Sequence, residues 1–141
     1  MTSQAEIEIV GAGPAGLTCA IVLARAGRTV TVREWHGDVG HRFHGDFQGL
    51  ENWTDPQDVL AELAEAGIAA DFDHHGVSEG VVFDGHARPH SVTGARPLFY
   101  LLRRGRSAGT LDRALLDQAR AAGAEVRFND RVKNTSGNMV L

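Results

Sequence analysis

Apolar and polar residues alternate over Ile7-Glu8-Ile9-Val10. Apolar positions then recur at helical spacing at Leu17, Ala20, Ile21, Leu23 and Ala24, and alternation returns at Val30 and Val32. A period of two, then 3.6, then two predicts strand, helix, strand. Gly27 is placed to stop that helix. Beyond Glu34 the pattern breaks into a polar loop from Trp35 to Asp46, followed by Phe47 to Trp53. Thr54 is expected to cap a helix with Asp55 and Pro56 in its first turn. Val59, Leu60 and Leu63 would form its apolar face and Gly67 its end. Residues Phe72 to Val77 carry no clear pattern. Val81-Val82-Phe83 and the run ending at Val92 predict a hairpin around Asp84-Gly85. Pro97 to Leu102 reads as a strand. Thr110 caps a helix through Ala122, with Leu111, Leu115 and Ala119 on one face and Gly123 as its stop. Val126-Arg127-Phe128 is a last short strand, and Met139-Val140-Leu141 reads as the opening of another. This order predicts an α/β fold whose parallel sheet is interrupted by an α+β excursion.

The turn between the first strand and helix reads Gly11-Ala12-Gly13-Pro14-Ala15-Gly16. In a G-x-G-x-x-G turn the first glycine permits the tight bend. The second lets a pyrophosphate approach the backbone, and the third allows close helix packing. Pro14 suits the first helical turn, where its missing N–H is not needed. The helix N-terminus offers free N–H groups to phosphates. Glu34 follows Gly16 by 18 residues, near the ~20 expected for the acid that binds a ribose hydroxyl. A carboxylate there disfavours a 2′-phosphate. The glycine motif alone leaves FAD and NAD open.

The 141 residues suffice for one domain, 1–141. Residues 1–36 form its dinucleotide-binding βαβ unit, 37–100 an inserted, substrate-side segment, and 101–141 the return to the Rossmann-like sheet. A net charge of −4 with no long basic run argues against nucleic acid or an anionic membrane as partner. No apolar run approaches the ~18 residues of a membrane span, and the N-terminus has no signal-peptide pattern. The single cysteine, Cys19, is expected to be a small buried hydrophobe, and a cytoplasmic location fits.

Three stretches carry a family resemblance: Val10 to Glu34; Arg42 to Trp53, which contains His44-Gly45-Asp46-Phe47-Gln48-Gly49; and Tyr100 to Gly105 followed by Thr110-Leu111-Asp112-Arg113-Ala114-Leu115-Leu116. With them the chain resembles the N-terminal part of FAD-dependent oxidoreductases of the glutathione-reductase-like superfamily. Its nearest likeness is to the geranylgeranyl reductase and aromatic-hydroxylase branch. The resemblance implies a Rossmann-like FAD/NAD(P)-binding fold, FAD as cofactor and NAD(P)H as electron donor. It implies cofactor contacts at Gly11, Ala12, Gly13, Pro14, Ala15, Gly16, Glu34, Trp35, Arg42 and Val132. It places Arg103 near the flavin, with Arg104 as second choice, and Val126 in the strand beside the adenine. Members of the family are much longer, with a second cofactor motif and a Gly-Asp motif that this chain lacks. Here Asp38-Val39-Gly40-His41 stands where a glycine pair is usual. The expectation is therefore a fragment or truncated lobe, with an incomplete sheet whose free edge would pair in a homodimer or with a complementary chain.

No residue is marked as a catalytic acid or base. Seven histidines and one cysteine, scattered, do not make a metal site. Arg103, Arg104 and Arg106 could neutralise a diphosphate or line a solvated loop. Asp46 with His44 could be a polar pair or a loop turn, and Trp35 and Trp53 could stack on a cofactor ring or pack beneath the loop. Three functions stay open: an FAD-dependent oxidoreductase or its cofactor lobe acting on a hydrophobic small molecule, an inert binding or assembly module, and a single-domain NAD-binding protein.

Overall fold

A computed structural model describes residues 6–133. In chain order the elements are β1 (Ile7–Val10), α1 (Pro14–Arg25), β2 (Val30–Arg33), β3 (Phe47–Glu51), α2 (Val59–Glu65), β4 (His74–Val77), β5 (Glu79–Phe83), β6 (Pro89–Thr93), β7 (Phe99–Arg103), α3 (Leu111–Ala121) and β8 (Glu125–Arg127). The strand expected at Met139 to Leu141 lies outside the described residues.

β2 is central to a parallel sheet of order β1-β2-β8, with Ile9 opposite Val32 and Val32 opposite Val126. Parallel strands need crossovers, and both crossovers end in helices, α1 and α3, that cover this sheet. Leu17, Ala20 and Ile21 of α1 meet Val30 and Val32 of β2 and Leu115, Leu116 and Ala119 of α3 in one core. The outer edge of β1 has no partner among the described residues.

The excursion between β2 and α3 forms an antiparallel sheet of order β3-β7-β4 and a separate β5-β6 hairpin. Leu102 of β7 packs with Phe72 and Ala114 in a second core, and Leu63 and Leu111 touch both cores. One face of the antiparallel sheet is thereby tied to α3, whereas every residue of the hairpin strands is exposed.

Several details differ from the sequence pattern. Thr54 does not cap α2. Asp58 does, its carboxylate accepting from Leu60 N at 2.9 Å, while Thr54 N donates to Glu51 at 2.7 Å in a turn. The hairpin connection is not the two-residue turn Asp84-Gly85 but runs from Asp84 to Arg88. The Asp84 side chain accepts from His86 N and Arg88 N, and Ala87 takes φ 59°. Cys19 is exposed, because α1 is apolar on more than one side and its outer stripe, with Val22, has no cover. The unpatterned stretch around Phe72 contains β4, built on two histidines. Thr110 caps α3 as expected, its hydroxyl accepting from Arg113 N at 3.4 Å and donating to a loop carbonyl.

Leu116 is fully buried where α1, β2 and α3 meet. Leu116→Ala is expected to lower the unfolding free energy in urea by about 2–5 kcal/mol, whereas Val22→Ala on the uncovered stripe stays within about 0.5 kcal/mol.

Candidate functional site

The site lies at the carboxyl ends of β1 and β2, where open α/β sheets bind ligands. Gly11 takes φ 100° to leave β1, and its N–H donates to Arg33 O at 2.8 Å. A Cβ on Gly16 would overlap the Gly11 carbonyl, so the helix can close on the turn only with glycine there. Gly13 is the N-cap of α1. It has no side chain to engage the helix N–H groups, and nothing lies within 4 Å of where its Cβ would be. The first turn of α1 therefore opens to the cleft with its donors uncapped.

Glu34 follows the last residue of β2 and is held from two sides. Its Oε2 accepts from Ala12 N at 2.8 Å. Its Oε1 accepts from His36 N at 2.8 Å and lies 2.8 Å from His36 Nδ1. Burial pushes the carboxyl up, but the His36 and Ala12 backbone donors and the His36 ring outweigh it and hold the pKa below the usual glutamate value. The His36 ring stacks on His41 at 4.1 Å and 14°, and on Trp35 at 5.4 Å and 25°. Arg131 covers the Trp35 indole at 4.2 Å.

The opposite wall is a loop fixed by ion pairs. Asp38 pairs with Arg113 of α3 at 2.7 Å, and Val39 beside it is buried. Arg104, just past β7, makes two 2.8 Å bonds to Asp112 of α3. Its guanidinium lies 4.3 Å from the centre of the Phe43 ring and bonds Gln48. Between these walls lies a cleft of about 250 Å³ lined by Ala12, Gly13, Pro14, Glu34, His36, residues 38–43, Arg104 and Asp112.

The structure thus brings Ala12, Gly13, Pro14, Glu34 and Arg42 to one cleft, while Gly11, Ala15 and Gly16 stand behind it in the turn and helix. Three expected contacts lie outside it. Trp35 does not line the cleft; its indole stacks on His36 and lies under Arg131, and the residue is 58% exposed. Arg103 points the other way, to Asp73 at 2.8 Å and Ala108 O at 2.9 Å, so Arg104 holds the cleft position. Val132 lies past β8 and does not line the cleft, and Val126 packs against the main core. Asp46 with His44 makes a turn, its carboxylate accepting from His44 N at 2.7 Å. The pattern did not mark His36, Phe43 or Asp112; the Glu-x-His spacing was the available signal for the first.

Among the described residues, no three His, Cys, Asp or Glu side chains gather as metal ligands, and no helix is long and apolar enough to cross a membrane.

Comparison with known proteins settles the family. The model of the FAD binding domain matches residues 4–139. The chain belongs to the FAD binding domain family. UacF of Escherichia coli (strain K12), named as an oxidoreductase, is 36% identical over 70 residues, which are 50% of this chain and 10% of that protein. The tetrameric form of 2-methyl-3-hydroxypyridine-5-carboxylic acid oxygenase superposes with a TM-score of 0.68 and 25% identity, covering 90% of this chain and 32% of that one. A geranylgeranyl bacteriochlorophyll reductase-like protein of Thermoplasma acidophilum gives 0.63 and 22%, covering 88% and 30%. The p-nitrophenol 4-monooxygenase of Pseudomonas putida DLL-E4 gives 0.65 and 20%, covering 94% and 34%. At such identities the last two share the fold alone. This FAD binding domain spans about a third of the length of these solved structures, and its matched half covers a tenth of UacF.

Two stability effects follow from the site. The Glu34 pKa is lowered by folding, so its stabilising effect is full above the ordinary glutamate value and is lost as pH falls through the lowered one. Glu34→Gln is expected to flatten that acid limb in a pH series of urea unfolding curves. Asp112 and Arg104 are buried together, so Asp112→Asn, which strands the guanidinium charge, is expected to cost about 3–5 kcal/mol in the same assay.

Proposed function

We propose that the cleft holds the ADP end of FAD, and that the chain is the cofactor-binding part of a flavin-dependent oxidoreductase acting on a hydrophobic small molecule. The observation that carries this is the pairing of an uncapped helix N-terminus at Gly13 with an ionised, anchored Glu34 across one cleft. Gly13 leaves the room a pyrophosphate needs beside the backbone. The N–H groups of α1 meet the phosphates, with Arg42 offsetting their charge and Glu34 accepting from the ribose. A cleft of about 250 Å³ is below the roughly 300–1,000 Å³ that encloses a drug-sized ligand, which suits one end of an extended dinucleotide. When bound, the flavin supplies the redox chemistry, and the protein supplies binding, orientation and electrostatics. NAD(P)H as electron donor and a cytoplasmic location belong to the same reading, as does pairing of the β1 edge, unpartnered among the described residues, with a second copy or a complementary chain. The oxygenase name of the solved structure that is 25% identical supports it.

A second reading is favoured by the chain's spanning about a third of those relatives: the chain binds the cofactor without turning it over. Turnover of any electron donor by the purified chain would exclude it.

Titration of the chain with FAD, followed by flavin fluorescence, is expected to show saturable binding that ADP competes away and riboflavin does not. Gly13→Val should abolish it, and Glu34→Ala should weaken ADP roughly 10- to 100-fold. No binding of FAD or ADP to the folded chain would overturn the proposal.

A further inference from the structure

The Glu34 carboxylate has a limited capacity, and most of it is used inside the protein. An ionised carboxylate accepts only, through about four lone-pair positions on its two oxygens. Three donors already meet it at 2.8 Å: Ala12 N on Oε2, and both His36 N and His36 Nδ1 on Oε1. Because the carboxylate is ionised and cannot donate, Nδ1 must carry the ring proton. Oε1 is therefore filled, and one acceptor position is left, on Oε2, the oxygen that faces the glycine turn.

The His36 ring is held in this role. It stacks on His41 at 4.1 Å and on Trp35 at 5.4 Å, and Arg131 lies over the Trp35 indole. Turning its Nδ1–H away from Glu34 would disturb both stacking contacts.

We infer that Glu34 accepts one ribose hydroxyl rather than two, and that His36 is the positioning residue that sets this by closing Oε1. The inference rests on the reading that the cleft takes the ADP end of a dinucleotide. A ribose offers two neighbouring hydroxyls, and a carboxylate with both oxygens open would accept both. Here the second hydroxyl meets an oxygen that has no position left.

The test compares ADP, 2′-deoxy-ADP and 3′-deoxy-ADP by calorimetry on the unmodified chain. The expected result is that one deoxynucleotide binds about tenfold or more weaker than ADP, while the other binds within about twofold. Equal losses for the two deoxynucleotides overturn the inference and leave the ADP reading standing. No binding of ADP itself overturns both. Two variants separate hydrogen bonding from stacking. His36→Phe keeps a flat ring in the stack but has no donor, so both deoxynucleotides should now bind weaker than ADP. His36→Asn, whose amide nitrogen can stand in the place of Nδ1, should restore the one-hydroxyl pattern. An unchanged pattern in His36→Phe also overturns the inference.

Discussion

Asp112 stands at the second position of α3 with 1% of its side chain exposed, and both its oxygens accept from Arg104. A third donor, Gly105 N at 2.9 Å, completes its partners. This pair joins the end of β7 to the start of α3, and so joins the antiparallel sheet to the helix that covers the parallel one. Burying two charges is costly unless the geometry is good and the remaining donors are met, and here two parallel bonds meet that condition. The loop opposite the glycine turn depends on the same pair. Arg104 stacks on Phe43, its N–H donates to Asp46 O at 2.8 Å, and its carbonyl accepts from Gly45 N at 3.2 Å. Arg104 and Asp112 thus hold this wall together with the Asp38–Arg113 pair.

The βαβ unit was readable because each of its signals is local: two alternating runs, a helical period, a glycine turn and an acid at a set distance. What the sequence left ambiguous was decided by contacts distant in the chain. Thr54 and Asp58 are both good caps. Asp58 wins because Tyr100 of β7 donates its hydroxyl to it at 2.8 Å, while Asn52, just past β3, accepts from Val59 N at 2.7 Å. Arg103 and Arg104 are neighbours of one type, and the strand's alternation sends them to opposite sides. Arg103 sits opposite Phe47 in the ladder and Arg104 lies just beyond it. The exposure of Cys19 could not be read from composition, since apolar residues on α1 outnumber those that one buried stripe requires.

Much of the uncovered apolar surface lies on the hairpin and the antiparallel sheet, while Val10 and Trp35 are exposed beside the cleft. Val81, Val82 and Phe83 of the hairpin, Phe47 and Trp53 by the antiparallel sheet, and Val10 at the end of β1 are all more than half exposed. The polar chemistry gathers between the sheets instead, where Glu34, Asp38 and Asp112 each have a basic partner. A ligand entering there meets charges whose places are already set, so binding requires little reordering of the protein.

The loop wall touches its support at Gly40 and Gly105. A Cβ on Gly40 would come within 2.6 Å of the Gly105 carbonyl, and both residues have positive φ, 59° and 130°. At that point main chain rests directly on main chain, with no side chain between. The seat of the loop on its support is thereby gauged by bond lengths and torsions that scarcely vary, not by rotamers that exchange in nanoseconds. The wall behaves like a machined stop: it fixes how closely the loop can settle on its support, whatever the side chains around it do.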